Sequence, residues 1–156
     1  MKIIIHDLEE LTVKGDYMII DERKVKSCIG CFNCWTRSPM KCIHNDIFQN
    51  IGKDISTCDE LIIISKCIGG CYSSKVKKVL ERCIGCVYPF FTLRDGEIHH
   101  KIRNNQLKLK VYFYGDVTST DKVLARKLIN SNCKNFGVVT SNLIFYKTKE
   151  EIGDIC

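Results

Sequence analysis

The segment that most limits what this chain can fold into is Glu60-Leu-Ile-Ile-Ile-Ser65. Leu61 to Ile64 are apolar without alternation, as in a strand covered on both faces rather than one with a wet side. Similar runs stand at Lys2–Ile5, Tyr17–Ile20, Leu109–Gly115 and Phe136–Tyr146, the last with an expected break near Ser141-Asn142. Helical spacing fills the intervals between them. Ile47, Phe48, Ile51 and Ile55 share a face behind Asn45 as cap, with Asp46 in the first turn. Val76, Val79, Leu80 and Cys83 do the same behind Ser73/Ser74, and Val123, Leu124, Leu128 and Ile129 mark a helix from Thr120 to Ser131. Asp95-Gly96, inside Pro89–Lys101, signals a tight hairpin. Strands alternating with helices predict an α/β fold, with a doubly wound parallel five-stranded sheet between helical layers. The 156 residues show no linker or internal repeat, so residues 1–156 are expected to form one domain.

In such folds ligands bind beyond the carboxyl ends of the strands. The loops leading there are Asp21–Asn45, Lys66–Ser73 and Asp116–Ser119. The first carries Cys28-x2-Cys31-x2-Cys34-x7-Cys42, four of the chain's eleven cysteines, with the sole tryptophan at Trp35. This places the four-cysteine stretch at the functional edge of the sheet.

The apolar runs are too short to cross a bilayer, and Met1–Glu10 has too little apolar stretch for a secretory signal. A cytoplasmic location without membrane association is therefore expected. The net charge of +6 is spread along the chain without a basic stripe interleaved with aromatics, so nucleic acid is not an expected partner. In a reducing compartment clustered thiols are metal ligands or redox groups rather than disulfides. The x2 rhythm can turn successive thiolates toward different corners of a multi-iron cluster, and the fourth ligand of such clusters also comes from outside the tight triplet. Zinc favours paired knuckles set farther apart. Iron–sulfur cluster, zinc and uncoordinated thiols all remain open on spacing alone. Cys67-x3-Cys71 and Cys83-x2-Cys86 flank a predicted helix about 13 Å long, too long for one metal to bridge, and read as packing thiols. His6, His44 and His99-His100 have no catalytic context, and no hydrolase or nucleotide-triphosphatase motif is present.

"CIGCFNCW", the following Lys41-Cys42, Asn45-Asp46, "CDELIIIS", "KCIGGCYSS" and "VKKVLER" stand in one order across Cys28–Arg82. In that block the chain resembles the flavodoxin-like NAD(P)H-dependent FMN reductases, and among them the iron–sulfur flavoproteins. The resemblance implies a flavodoxin-like, three-layer α/β/α fold with strand order two-one-three-four-five and a shortened first helix. It implies redox activity with FMN and an iron–sulfur cluster, of the 4Fe-4S type, and NAD(P)H or another reduced carrier as electron source. It also implies a homo-oligomer. Cys28, Cys31, Cys34 and Cys42 would be the cluster ligands. Cys67, Ile68, Gly69, Gly70 and Cys71, with Gly115, Asp116, Thr118 and Ser119, would line the flavin. One departure changes the expectation. The acidic Asp7–Asp16 connection replaces the Gly/Ser-rich phosphate loop, so FMN is expected to bind weakly or not at all. The rival reading is a non-catalytic relative that lost FMN and binds a metal or a protein partner through the cysteine loop.

Overall fold

The computed structural model describes residues 1–11, 17–21, 25–103 and 106–153. Five strands pair in parallel in the order β2-β1-β3-β6-β7: β1 (Lys2–His6), β2 (Tyr17–Asp21), β3 (Glu60–Lys66), β6 (Leu107–Tyr114) and β7 (Val138–Tyr146). The described residues form three helices, α1 (Ile51–Thr57), α2 (Ser74–Arg82) and α3 (Ser119–Phe136). A 3-10 turn, Cys83–Cys86, leads from α2 into an antiparallel hairpin, β4 (Val87–Arg94) and β5 (Glu97–Ile102). No helix among the described residues is long and apolar enough to cross a membrane.

Strand pleating divides the core in two. Ile3, Ile5, Leu61, Ile63, Leu109, Val111 and Phe113 face one way and pack with Ile51 and Ile55 of α1, Val76 and Val79 of α2, and Ala125 and Ile129 of α3. Each such side chain is fully or almost fully buried and contributes roughly 1.5–3 kcal/mol. Ile4, Ile62 and Ile64 face the other way, under Leu8, Leu11 and Ile152, the last from a 3-10 turn at Lys149–Ile152.

Among the described residues all three helices pack on one face; the second helical layer expected from the β1-to-β2 connection falls on residues outside those described. The cause is handedness. The steps β2 to β3, β3 to β6 and β6 to β7 run in one direction across the sheet, and right-handed crossovers then put every connecting helix on the same side. Only the step from β1 to β2 runs the other way, and Leu8 and Leu11 at its start do pack on the second face. The rest of that connection, residues 12–16, lies outside the described residues, and with it the expected shortened first helix.

Local signals set several boundaries. Ser73 caps α2, its hydroxyl accepting from the Val76 amide at 3.4 Å. Asp95 and Gly96 both take positive φ, 51° and 79°, as the two-residue hairpin turn demands. Other expectations shift. α1 begins only at Ile51, Asn45 caps nothing, and Ile47 is 75% exposed. The last helix runs on to Phe136 and buries Ala125 and Ile129, while Val123 and Leu124 are about half exposed. β7 continues through Ser141-Asn142 without a break.

Candidate functional site: a thiol-lined cavity at the amino edge

In a parallel sheet a helix leaves the carboxyl end of one strand and delivers the chain to the amino end of the next. The last turns of α2 and α3 thus lie toward the amino edge, and the cysteine loop is packed against them. Trp35 Nε1 donates to the Ile84 and Val87 carbonyls, both at 3.1 Å. Arg82, the last residue of α2, sends Nη1 and Nη2 to the Asp46 carboxylate at 2.7 and 3.0 Å, and Nη2 also to the Phe48 carbonyl at 3.3 Å. This corrects the expected placement at the carboxyl ends of the strands. The loop sits at the opposite end of the helical layer.

The loop is also more ordered than its sequence suggests. Amide-to-carbonyl bonds join Trp35 to Phe32, Ser38 to Asn33 and Met40 to Cys34, and Cys42 to Gln49 at 2.7 Å. Two glycines make room for it. A Cβ on Gly85 would stand 3.1 Å from Met40 Cα and 3.3 Å from Cys34 Cβ, and one on Gly52 would stand 3.0 Å from the Met40 carbonyl oxygen. Phe32 and Met40 hold positive φ, 53° and 67°, a conformation non-glycine residues keep only where their surroundings impose it.

Cys28, Cys31, Cys34 and Cys42 all line one cavity of about 550 Å³, together with Cys86, Arg82 and His100. Burial raises the Cys34 thiol above its ordinary value, and the neighbouring Cys42, Cys28 and Cys31 raise it further. Cys34 thus lies within electrostatic reach of the other three. One buried nitrogen on the wall, His100 Nδ1, has no hydrogen-bond partner. The Arg82 guanidinium, also on the wall, faces the Cys42 side chain. Among the described residues, no three Cys, His, Asp or Glu side chains converge tightly enough for a single metal ion. Thiolates around one zinc, at about 2.3 Å from the metal, must nearly touch; thiolates on different irons of a cluster stand farther apart. The four thiols form a soft donor set along one cavity wall.

Three contributors to this cavity escaped sequence reasoning. Arg82 looked like a helix end, Cys86 like a packing thiol and His100 like a surface residue. Trp35 packs against the core beside the cavity and stands between Phe32 and His100, with ring centroids 5.4 and 4.8 Å away. The "IGC" after α2 was the available signal, because a glycine beside a cysteine at a helix end permits close approach. Cys58 and Cys86, deeper in the core, are each pushed up to about 12, chiefly by burial, and Cys83 is raised well above its ordinary value by the same cause. They are inert packing thiols, Cys86 alone also reaching the cavity wall.

The residues expected around a flavin lie at the other edge. Ile68 and Cys71 exchange backbone bonds at 2.9 and 3.0 Å, closing a turn through Gly69 and Gly70 at φ 58° and 76°. Gly70 is pressed on α3: a Cβ there would stand 2.6 Å from Leu124 Cβ. Thr118 caps α3 reciprocally with Asp121, and Gly115 donates to the Tyr146 carbonyl. Asp116 and Ser119 flank that cap, both exposed. At this edge Asp7 accepts from the Lys66 amide at 3.0 Å, from the Tyr114 hydroxyl at 3.0 Å and from Ser65 Oγ at 3.5 Å. Glu9, Glu10 and Glu150 line a neighbouring cleft with Leu8 and Lys149. A carboxylate already satisfies the donors that a phosphate would use, and more carboxylates surround it. These residues do not fit the phosphate end of FMN. No protein-family model matches the chain, and no curated protein matches it either.

Proposed function

We propose that this chain is a flavodoxin-like redox protein that holds an iron–sulfur cluster on Cys28, Cys31, Cys34 and Cys42 and works in electron transfer. The observation that carries the reading is that those four thiols line one cavity, beside Arg82 and the unpartnered buried His100 Nδ1. The cluster, when bound, supplies one-electron chemistry. The chain's own residues do the rest. Arg82 offsets negative charge at Cys42 and is itself anchored by Asp46. Trp35 fixes the loop to the turn after α2 and stacks on Phe32, which lines the cavity. Hydrogen bonds to the sulfurs raise the potential of such a centre, and the Gly30 amide, 3.5 Å from Cys28 Sγ, is one such donor.

The strand order two-one-three-four-five supports a flavodoxin-like scaffold, in which the loops after β3 and β6 would face a flavin. The NAD(P)H-dependent FMN reductase activity implied by the resemblance is less well supported, because the connection after β1 carries Asp7, Glu9 and Glu10 in place of a Gly/Ser-rich phosphate loop. Those carboxylates favour the second reading, a flavodoxin-fold relative that has given up FMN and kept a metal-binding loop. Anaerobic reconstitution with iron and sulfide separates the possibilities. The expected result is stoichiometric iron with a broad visible absorption, lost in each of Cys28→Ala, Cys31→Ala, Cys34→Ala and Cys42→Ala, and retained in Cys133→Ala. Cys156 lies outside the described residues. Wild-type protein without stoichiometric iron would remove the reading.

A further inference from the structure

A second cavity lies where the hairpin meets the end of α3, and one guanidinium edge beside it has no partner. Arg94 of β4 is partly buried, and two of its nitrogens, Nε and Nη2, are buried without a hydrogen-bond partner. Glu97 stands directly across the ladder from Arg94, yet its carboxylate binds Lys134 Nζ at 2.7 Å and His99 Nε2 at 3.2 Å instead. The two orphaned nitrogens belong together chemically. Nε and Nη2 carry the parallel N–H bonds of one guanidinium edge, the fork that takes two oxygens of a single carboxylate or phosphate. A charged donor buried without an acceptor is costly, so this edge calls for one.

The cavity holds about 220 Å³ and is lined by Arg94 and His99 from the hairpin and by Cys133, Lys134, Gly137 and Val138 from the end of α3 and the start of β7. At about 30 Å³ of liquid volume per water, that is room for one small oxyanion and a few waters. Asp95 also lines it, but neither orphaned nitrogen bonds to that carboxylate. The carbonyl end of α3 disfavours an anion, and Lys134 in its last turn sets a cation against that end.

We propose that this cavity binds a small oxyanion, a carboxylate or phosphate group held bidentately by Nε and Nη2 of Arg94 with Lys134 and His99 beside it. The ligand ties the hairpin to α3, as the Glu97–Lys134 pair already does from the same strand face. His100, the next residue after His99, lines the thiol cavity on the other face of the hairpin. Occupancy of one cavity therefore steadies a wall of the other. The site does not depend on the proposed cluster.

Titration of the full wild-type chain with inorganic phosphate and, separately, with succinate tests the site, at an ionic strength held constant with sodium chloride. One arginine Nε–H resonance, identified by its loss in Arg94→Lys, should shift saturably, with half-saturation in the millimolar range or below. Arg94→Lys keeps the charge but not the fork, and should weaken binding roughly tenfold as read at the Gly137 amide. Lys134→Gln should weaken it severalfold, and both variants should keep the wild-type far-UV circular dichroism spectrum. Saturation by phosphate alone assigns a phosphoryl ligand and by succinate alone a carboxylate, and either result upholds the site. No saturable shift with either anion, or equal affinity in Arg94→Lys, overturns it and leaves the edge to water.

Discussion

At the amino edge of the sheet, sulfur, aromatic rings and one buried arginine surround an open cavity; at the carboxyl edge, Asp7 ties β1, β3 and β6 together. Parallel α/β folds ordinarily keep their chemistry at the carboxyl edge. Here that edge is closed on itself by Lys66, Ser65 and Tyr114, while the loop after β2 carries the reactive groups down to the far end of the helices. The difference shows that a strand order does not by itself locate a site. The length of one connection decides it: the stretch from β2 to α1 is long enough to cross the sheet and lodge under Arg82.

The comparison breaks most directly at Arg82. Its side chain is fully buried and Asp46 nearly so, and removing one member of such a pair typically costs about 3–5 kcal/mol. Arg82→Ala should lose that much in urea unfolding and release the cysteine loop. A loss below about 1 kcal/mol would mean that the turns within the loop hold it unaided.

Glycine substitutions sharpen the contrast between the two ends. Gly85→Ala pushes on Met40 and Cys34, and Gly70→Ala on Leu124 and the Asp121 carbonyl. Each should cost about 1–3 kcal/mol by overpacking. Only Gly85→Ala should lower the iron content after reconstitution; equal iron loss in both would erase the distinction between the ends.

Asp7→Asn probes the closed edge at a smaller cost, about 1 kcal/mol, since the amide oxygen still accepts one bond. The Tyr114 phenol is held above its ordinary value by burial first and then by Asp7. The variant should therefore ionise Tyr114 at lower pH than wild type in an ultraviolet titration. Wild-type protein that binds FMN with sub-micromolar affinity would contradict the idea that Asp7, Glu9 and Glu10 exclude the phosphate.

The mildest effect is that of acid. The Arg82 hydrogen bond holds the Asp46 carboxyl below its ordinary value. Its contribution to stability is complete above the unfolded value near ~3.9 and fades as pH falls through the lower folded value. Denaturant midpoints measured downward from pH 5 should fall more steeply for wild type than for Asp46→Asn.

The parallel α/β plan was legible because it rests on local signals: the unbroken Leu61–Ile64 run, the Ser73 cap and the Asp95-Gly96 turn. The placement of the described helices on one face was not. Which side a helix takes depends on the direction of each step across the sheet, and no periodicity records that. Val123 and Leu124 show the same limit, since α3 meets the sheet through Ala125 and Ile129 while the Gly70 turn leans on Leu124. The four cysteines were found by spacing, but Arg82 and His100 reach the cavity from elements forty or more residues away, beyond the range of any motif.

Trp35 is the only tryptophan in the chain, and it stands between Phe32 and His100 with its indole nitrogen held by two backbone carbonyls. Its emission therefore reports on one place alone. An iron centre among the adjacent thiols should quench it, and detachment of the loop from the turn after α2 should shift it toward the red. Cavity occupancy and loop docking can thus be followed separately, by intensity and by wavelength, in the unlabelled wild-type chain.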